Sequence, residues 1–186
     1  MKRRQAATAV AVLAALSVGS VVDERLQDPN EVLERPYDHH AALGDEVAMR
    51  TGTVVVHGVD GAAKVRTFKT LASTPGVWLL VDVSFTAKDS TQSVAGGTVV
   101  AADGRRFGGK QAVMTSCGVS IPGVAHHCRQ LFELPRGVLA GASFEVSTAG
   151  RGQADDVAVI DLGIDQAKAT RLEASTSTFD ADKEGA

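Results

Sequence analysis

Hydrophobic and polar positions follow three different patterns along this chain. Residues 6–22, AATAVAVLAALSVGSVV, form a run of 17 residues without a charge, preceded by Lys2, Arg3 and Arg4 and closed by Asp23 and Glu24. Residues 23–45 are polar, and Pro29 and Pro36 break any helix there, so this stretch reads as a juxtamembrane spacer. From Glu46 the apolar period shortens to two. In GVWLLVDVSFTA, residues 76–87, Val77, Leu79, Val81, Val83 and Phe85 share one face, with Asp82, Ser84 and Thr86 on the other. Trp78 and Leu80 make the start of that strand apolar on both faces, as in the middle of a sandwich. A Trp in that position reads as core.

Further short strands are expected at VAMR, GTVVVHGV, GTVVAADG, QAVMTSC, CRQLFELP and GASFEVST. The last is DDVAVIDLGID, residues 155–165, where Ala158, Ile160, Leu162 and Ile164 share a face. Turns are expected at Thr51-Gly52, Asp60-Gly61 and Asp103-Gly104. The pattern predicts an all-β, immunoglobulin-like antiparallel β-sandwich of seven to eight strands over residues 46–165, preceded by an N-terminal transmembrane or signal helix. No long segment after residue 46 has helical periodicity, which argues against a parallel α/β sheet. Residues 166–186 are small, polar and poor in apolar groups, and read as a disordered tail.

A positive flank, an apolar run and an acidic flank predict a cytoplasmic N-terminus with the remainder outside. As a helix rising about 1.5 Å per residue the run spans roughly 25 Å, against about 30 Å for a bilayer core. A single-pass signal anchor and a signal peptide cleaved before Ser20, after the small residues Ser17 and Gly19, both fit residues 1–22. The first predicts a cell-membrane protein with its domain outside, the second a secreted one. No cysteine lies near the segment, so a lipid-anchored lipoprotein is excluded. Three of the 19 basic residues sit in the N-terminal cluster, leaving 16 against 22 acidic residues downstream, a net charge of −6. That balance opposes nucleic acid and anionic lipid headgroups as partners.

The blocks VWLLVDVSFTA, DGRRF, CGVSIPGVAHHC, LFELP, LAGASFEV and DDVAVIDLGID together resemble an actinobacterial exported immunoglobulin-like β-sandwich domain of unknown function. That group is similar in architecture to a small mycobacterial secreted antigen, and the resemblance spans approximately residues 46–165. It implies an export segment and a sandwich outside the membrane, and it transfers no catalytic residue.

Cys117 and Cys128 are the two cysteines of the chain. In an oxidising compartment they read as a disulfide, and closing the intervening loop is worth roughly 3 kcal/mol. An enzymatic alternative uses Cys117 as a nucleophile. VMTSC resembles the TLxTC strand end of sortases, with Met114 and Ser116 replacing the motif's Leu and second Thr. His57, 60 residues upstream, and Arg129, 12 downstream, are then the acid and the oxyanion stabiliser of a cysteine transpeptidase.

Metal chemistry finds weaker purchase. The neighbours His39-His40 and His126-His127 point to opposite faces of a strand, so each pair offers one ligand per site, and H-E-x-x-H and C-x-x-C are absent. Asp155, Asp156, Asp161 and Asp165 read as solvated strand ends rather than a calcium cluster. No metal or cofactor is expected. The reading is an extracytoplasmic, membrane-anchored, non-catalytic binding module, with an envelope or membrane protein as partner and membrane contact through the N-terminal helix.

Overall fold

The chain divides into two units, residues 1–35 and 36–186. The structure, a computed structural model, describes residues 36–67, 70–94, 96–108, 118–148 and 156–181, all in the second unit. The apolar run 6–22 and Cys117 lie outside the described residues. Among the described residues, no helix is long and apolar enough to cross a membrane.

The elements are β1 (Tyr37–Ala42), β2 (Glu46–Met49), β3 (Gly52–Thr67), β4 (Thr70–Ala87), β5 (Gln92–Ser93) and β6 (Thr98–Val100), followed by β7 (Arg106–Gly108), β8 (Val119–Ser120), β9 (Ala125–Leu134), β10 (Ser143–Val146), β11 (Asp156–Asp161), α1 (Gln166–Glu173) and β12 (Thr178–Asp180). One sheet runs β1-β11-β10-β6-β7. The other runs β12-β3-β4-β9, with β2 also on β3, and β5 pairs with β8.

The two large sheets form a sandwich because each presents an apolar face. Val54, Val56, Leu79, Val81, Val83, Phe85 and Phe132 from one share a core with Val99, Phe144, Ala158 and Ile160 from the other. Phe132 and Phe144 meet edge to face across the gap, with ring centroids 5.9 Å apart.

Several expectations are corrected. The described residues hold twelve strands, ten of them within residues 46–165 rather than seven or eight, because small edge pieces join the two longest, β3 and β4. The sandwich is not purely antiparallel, since β1 pairs in parallel with β11 and β12 in parallel with β3. The spacer proposed at 23–45 therefore ends in a strand of the sheet. Asp60-Gly61 is not a turn either: β3 runs straight through it, with Asp60 opposite Leu80 and Gly61 opposite Leu79. Gly61 is needed there for another reason, because a Cβ at that position would collide with the backbone carbonyl of Leu172.

The tail expected to be disordered is instead structured as far as Ala181. The Asp165 side chain caps α1 by accepting a hydrogen bond from Lys168 N at 2.6 Å. Ala169 and Leu172 then pack against the main core. Ser177 ties the exit to β3: its carbonyl accepts from Ala63 N at 3.0 Å, and its hydroxyl donates to Gly61 O at 3.0 Å. β12 follows with Phe179 beside Val65. The segment has few apolar residues, but each fills a gap that the sheets leave open.

Candidate functional site

The most distinctive polar constellation lies on the outer face of β3, β4 and β9. Alternation along β4 sends Asp82, Ser84 and Thr86 outward while Val83 and Phe85 face the core. On β9, Ser84 is opposite His127 and Asp82 is opposite Arg129. On β3 the pairing slips between Val56 and Gly58, which leaves His57 as the extra residue of a bulge. His57 Nε2 lies 2.8 Å from Ser84 Oγ. The rings of His57 and His127 stack with centroids 5.4 Å apart and planes at 29°. Both histidines are exposed, while Ser84 beneath them retains 7% of its surface.

The same end of the sandwich carries a tight apolar turn after β8. Ser120 is buried and organises it: its Oγ accepts from Ala87 N at 3.1 Å and lies within hydrogen-bond distance of Phe85 O and Val124 O. Gly123, with φ of 75°, donates from N to Ala87 O at 3.0 Å, and Val124 N donates to Ile121 O. On β8 and the pinned turn that follows it, Val119, Ile121 and Val124 expose 59%, 54% and 52% of their surface.

On the other sheet a polar cleft is lined by Gly96, Thr98, Arg106, Glu145, Ser147 and Val157. Arg106 makes a two-pronged ion pair with Glu145, which raises the guanidinium's pKa above its ordinary value despite partial burial. The cleft's charges are thus spent on one another.

The residues singled out in the sequence are scattered. Cys128 sits on β9, half-buried, with its side chain against the main core, and no free cysteine occurs among the described residues. Cys117, its expected disulfide partner and the alternative nucleophile, lies outside them. His57 and Arg129 share the outer face, with β4 between them. His126 alternates to the inner side, where its Nε2 approaches Gly118. His39 leans on Tyr37, ring centroids 5.1 Å apart, and approaches Asp156 at 3.5 Å.

Of the four aspartates, Asp155 lies outside the described residues and the other three bond the backbone. Asp156 accepts from Arg50 N at 2.6 Å, Asp161 from Gly163 N at 2.9 Å, and Asp165 caps α1. Among the described residues, no group of three or more His, Cys, Asp or Glu side chains is arranged to hold a metal ion. Sequence reasoning missed the meeting of His57 with His127. The bulge that turns His57 outward has no periodicity to betray it, and the only local signal is the His-Gly step that ends the VVV run.

The architecture defines a β-sandwich protein. No protein-family model matches the chain, and no curated protein matches it. Among solved structures it is similar to the yjhA protein of Bacillus subtilis, at 13% identity over 66% of this chain and 98% of that one, with a TM-score of 0.47. It is also similar to an uncharacterised β-sandwich protein of Clostridium difficile, at 11% identity over 69% of this chain and 97% of that one, with a TM-score of 0.44.

Proposed function

We propose that this protein is a non-catalytic binding module: an immunoglobulin-like sandwich of the actinobacterial exported type, held outside the cytoplasm by its N-terminal segment, that presents one end of the sandwich to an envelope or membrane protein. The observation that carries this reading is that Val119 on β8 and Ile121 and Val124 on the pinned turn after it, three large apolar residues within six positions, are each more than half exposed. Large apolar side chains exposed on a pinned segment favour an interaction site, because covering them releases water at little entropic cost to the protein.

Export is supported by the charge order around residues 6–22. A Cys117–Cys128 disulfide fits the same compartment and would brace the chain entering the turn. Cys117 directly precedes Gly118, which lies against His126, two residues from Cys128 on β9. The transpeptidase reading needs His57 and Arg129 beside one another, and β4 runs between the strands that carry them.

The test is crosslinking on intact cells, followed by capture of the tagged full chain from membranes. Wild type should trap a partner that the triple variant Val119→Ser, Ile121→Ser, Val124→Ser fails to trap. Equal capture by both, or crosslinks mapping to the other sheet, would refute the assignment of the turn. Intact mass rising by about 2 on reduction, with no prior thiol labelling, tests the disulfide.

A further inference from the structure

We propose that His57 and His127 form an open binding site for a single divalent transition-metal ion, with Cu²⁺ the tightest-binding member of the class and Zn²⁺ a weaker one. This site is independent of the partner reading above.

Three observations carry it. First, the spacing suits chelation: two imidazoles sharing one ion through bonds of about 2.0–2.1 Å hold their ring centres roughly 5–6 Å apart. The rings of His57 and His127 stand at 5.4 Å with planes 29° apart, so turning the exposed His127 ring about its terminal torsion is what brings its donor nitrogen onto the same ion. Second, His57 already has the outer partner that imidazole ligands use. Its Nε2 is engaged by the buried Ser84 hydroxyl at 2.8 Å, which orients the ring and leaves Nδ1 for an ion. Third, both side chains are exposed, so an ion reaches them without opening the fold, and water can complete the coordination.

The neighbouring charges permit a cation. Asp82 and Arg129 occupy the next row as direct cross-strand partners, so their opposite charges lie side by side. Two protein ligands with no third one arranged around them make a weak, exchangeable site rather than a structural one. Affinity in such a nitrogen set follows the ordinary order, with Cu²⁺ above Zn²⁺.

The experiment is calorimetric titration of the folded full chain with CuCl₂ and with ZnCl₂, alongside electron paramagnetic resonance of the copper form. One Cu²⁺ should bind per chain with imidazole nitrogen couplings in the spectrum, and Zn²⁺ should compete for it. His57→Gln and His127→Gln should each weaken Cu²⁺ binding at least tenfold, whereas His39→Gln and His40→Gln should leave it unchanged. Ser84→Ala should weaken it severalfold by freeing the His57 ring. Unaltered affinity in both His57→Gln and His127→Gln, or the absence of Cu²⁺ binding in wild type, overturns the proposal. Should a variant fail to fold, Cu²⁺ protection of His57 and His127 against diethylpyrocarbonate in wild type decides the matter, and equal modification with and without the ion also overturns it.

Discussion

The outer face of β4 divides into two halves that share one strand and one sheet face but not one environment. In the first half Trp78 and Leu80 are 4% and 5% exposed and form a second apolar cluster with Ala62, Val65, Leu131, Phe179 and Ala181. In the second half Asp82, Ser84 and Thr86 sit below a polar surface carrying His57 and His127. The difference follows the C-terminal strand. β12 adds to the edge of β3 only along Lys64–Arg66, which brings Phe179 beside Val65 and so extends the apolar cluster over one half alone. An exposed strand face becomes core where another segment arrives to extend it, and stays available for polar chemistry where none does.

Three experiments break or sharpen this comparison. Truncation after Asp165 removes Ala169 and Leu172 from the main core and Phe179 and Ala181 from the second cluster. The loss should exceed about 5 kcal/mol, the lower end of a whole domain's stability, so cooperative unfolding should disappear or shift to very low urea. Trp78 is the chain's single tryptophan, so its emission should move to the red as its half of the face opens. An unchanged urea midpoint would show that the tail contributes nothing to either half.

Phe179→Ala alone should cost about 3 kcal/mol, the low end for truncating a buried phenylalanine, because the ring keeps slight exposure. Ser84→Ala tests the other half and should cost about 1 kcal/mol, the net worth of one hydrogen bond to a side chain that water also reaches. Denaturant unfolding of both variants measures the contrast directly. A Ser84→Ala cost equal to that of Phe179→Ala would mean that the polar half is as much a core as the apolar one.

Much of this architecture was legible in the sequence. The alternation over residues 77–85 assigned β4 its inner face, and the apolar Trp78 and Leu80 already recorded that half of its outer face is covered. The run around Ala158 and Ile160 likewise marked β11 and its buried side. Edge strands were less visible. Tyr37–Ala42 and Thr178–Asp180 have weak patterns of their own and become strands because β11 and β3 offer unpaired edges beside them. The candidate site was harder still, since His57 and His127 stood in the sequence as unrelated histidines 70 positions apart.

What the sequence by itself determined is therefore the class of the fold and the facing of its long strands. Burial on the pleat imposes a period of two that any stretch of adequate length displays. Only the tertiary structure decided the rest: which edge each short strand completes, where α1 packs, and that a bulge in β3 swings His57 across Ser84 toward His127. Those outcomes depend on the shape of the gaps left between elements distant in the chain. Such gaps exist only once the long strands have paired, so no local pattern of residues encodes them.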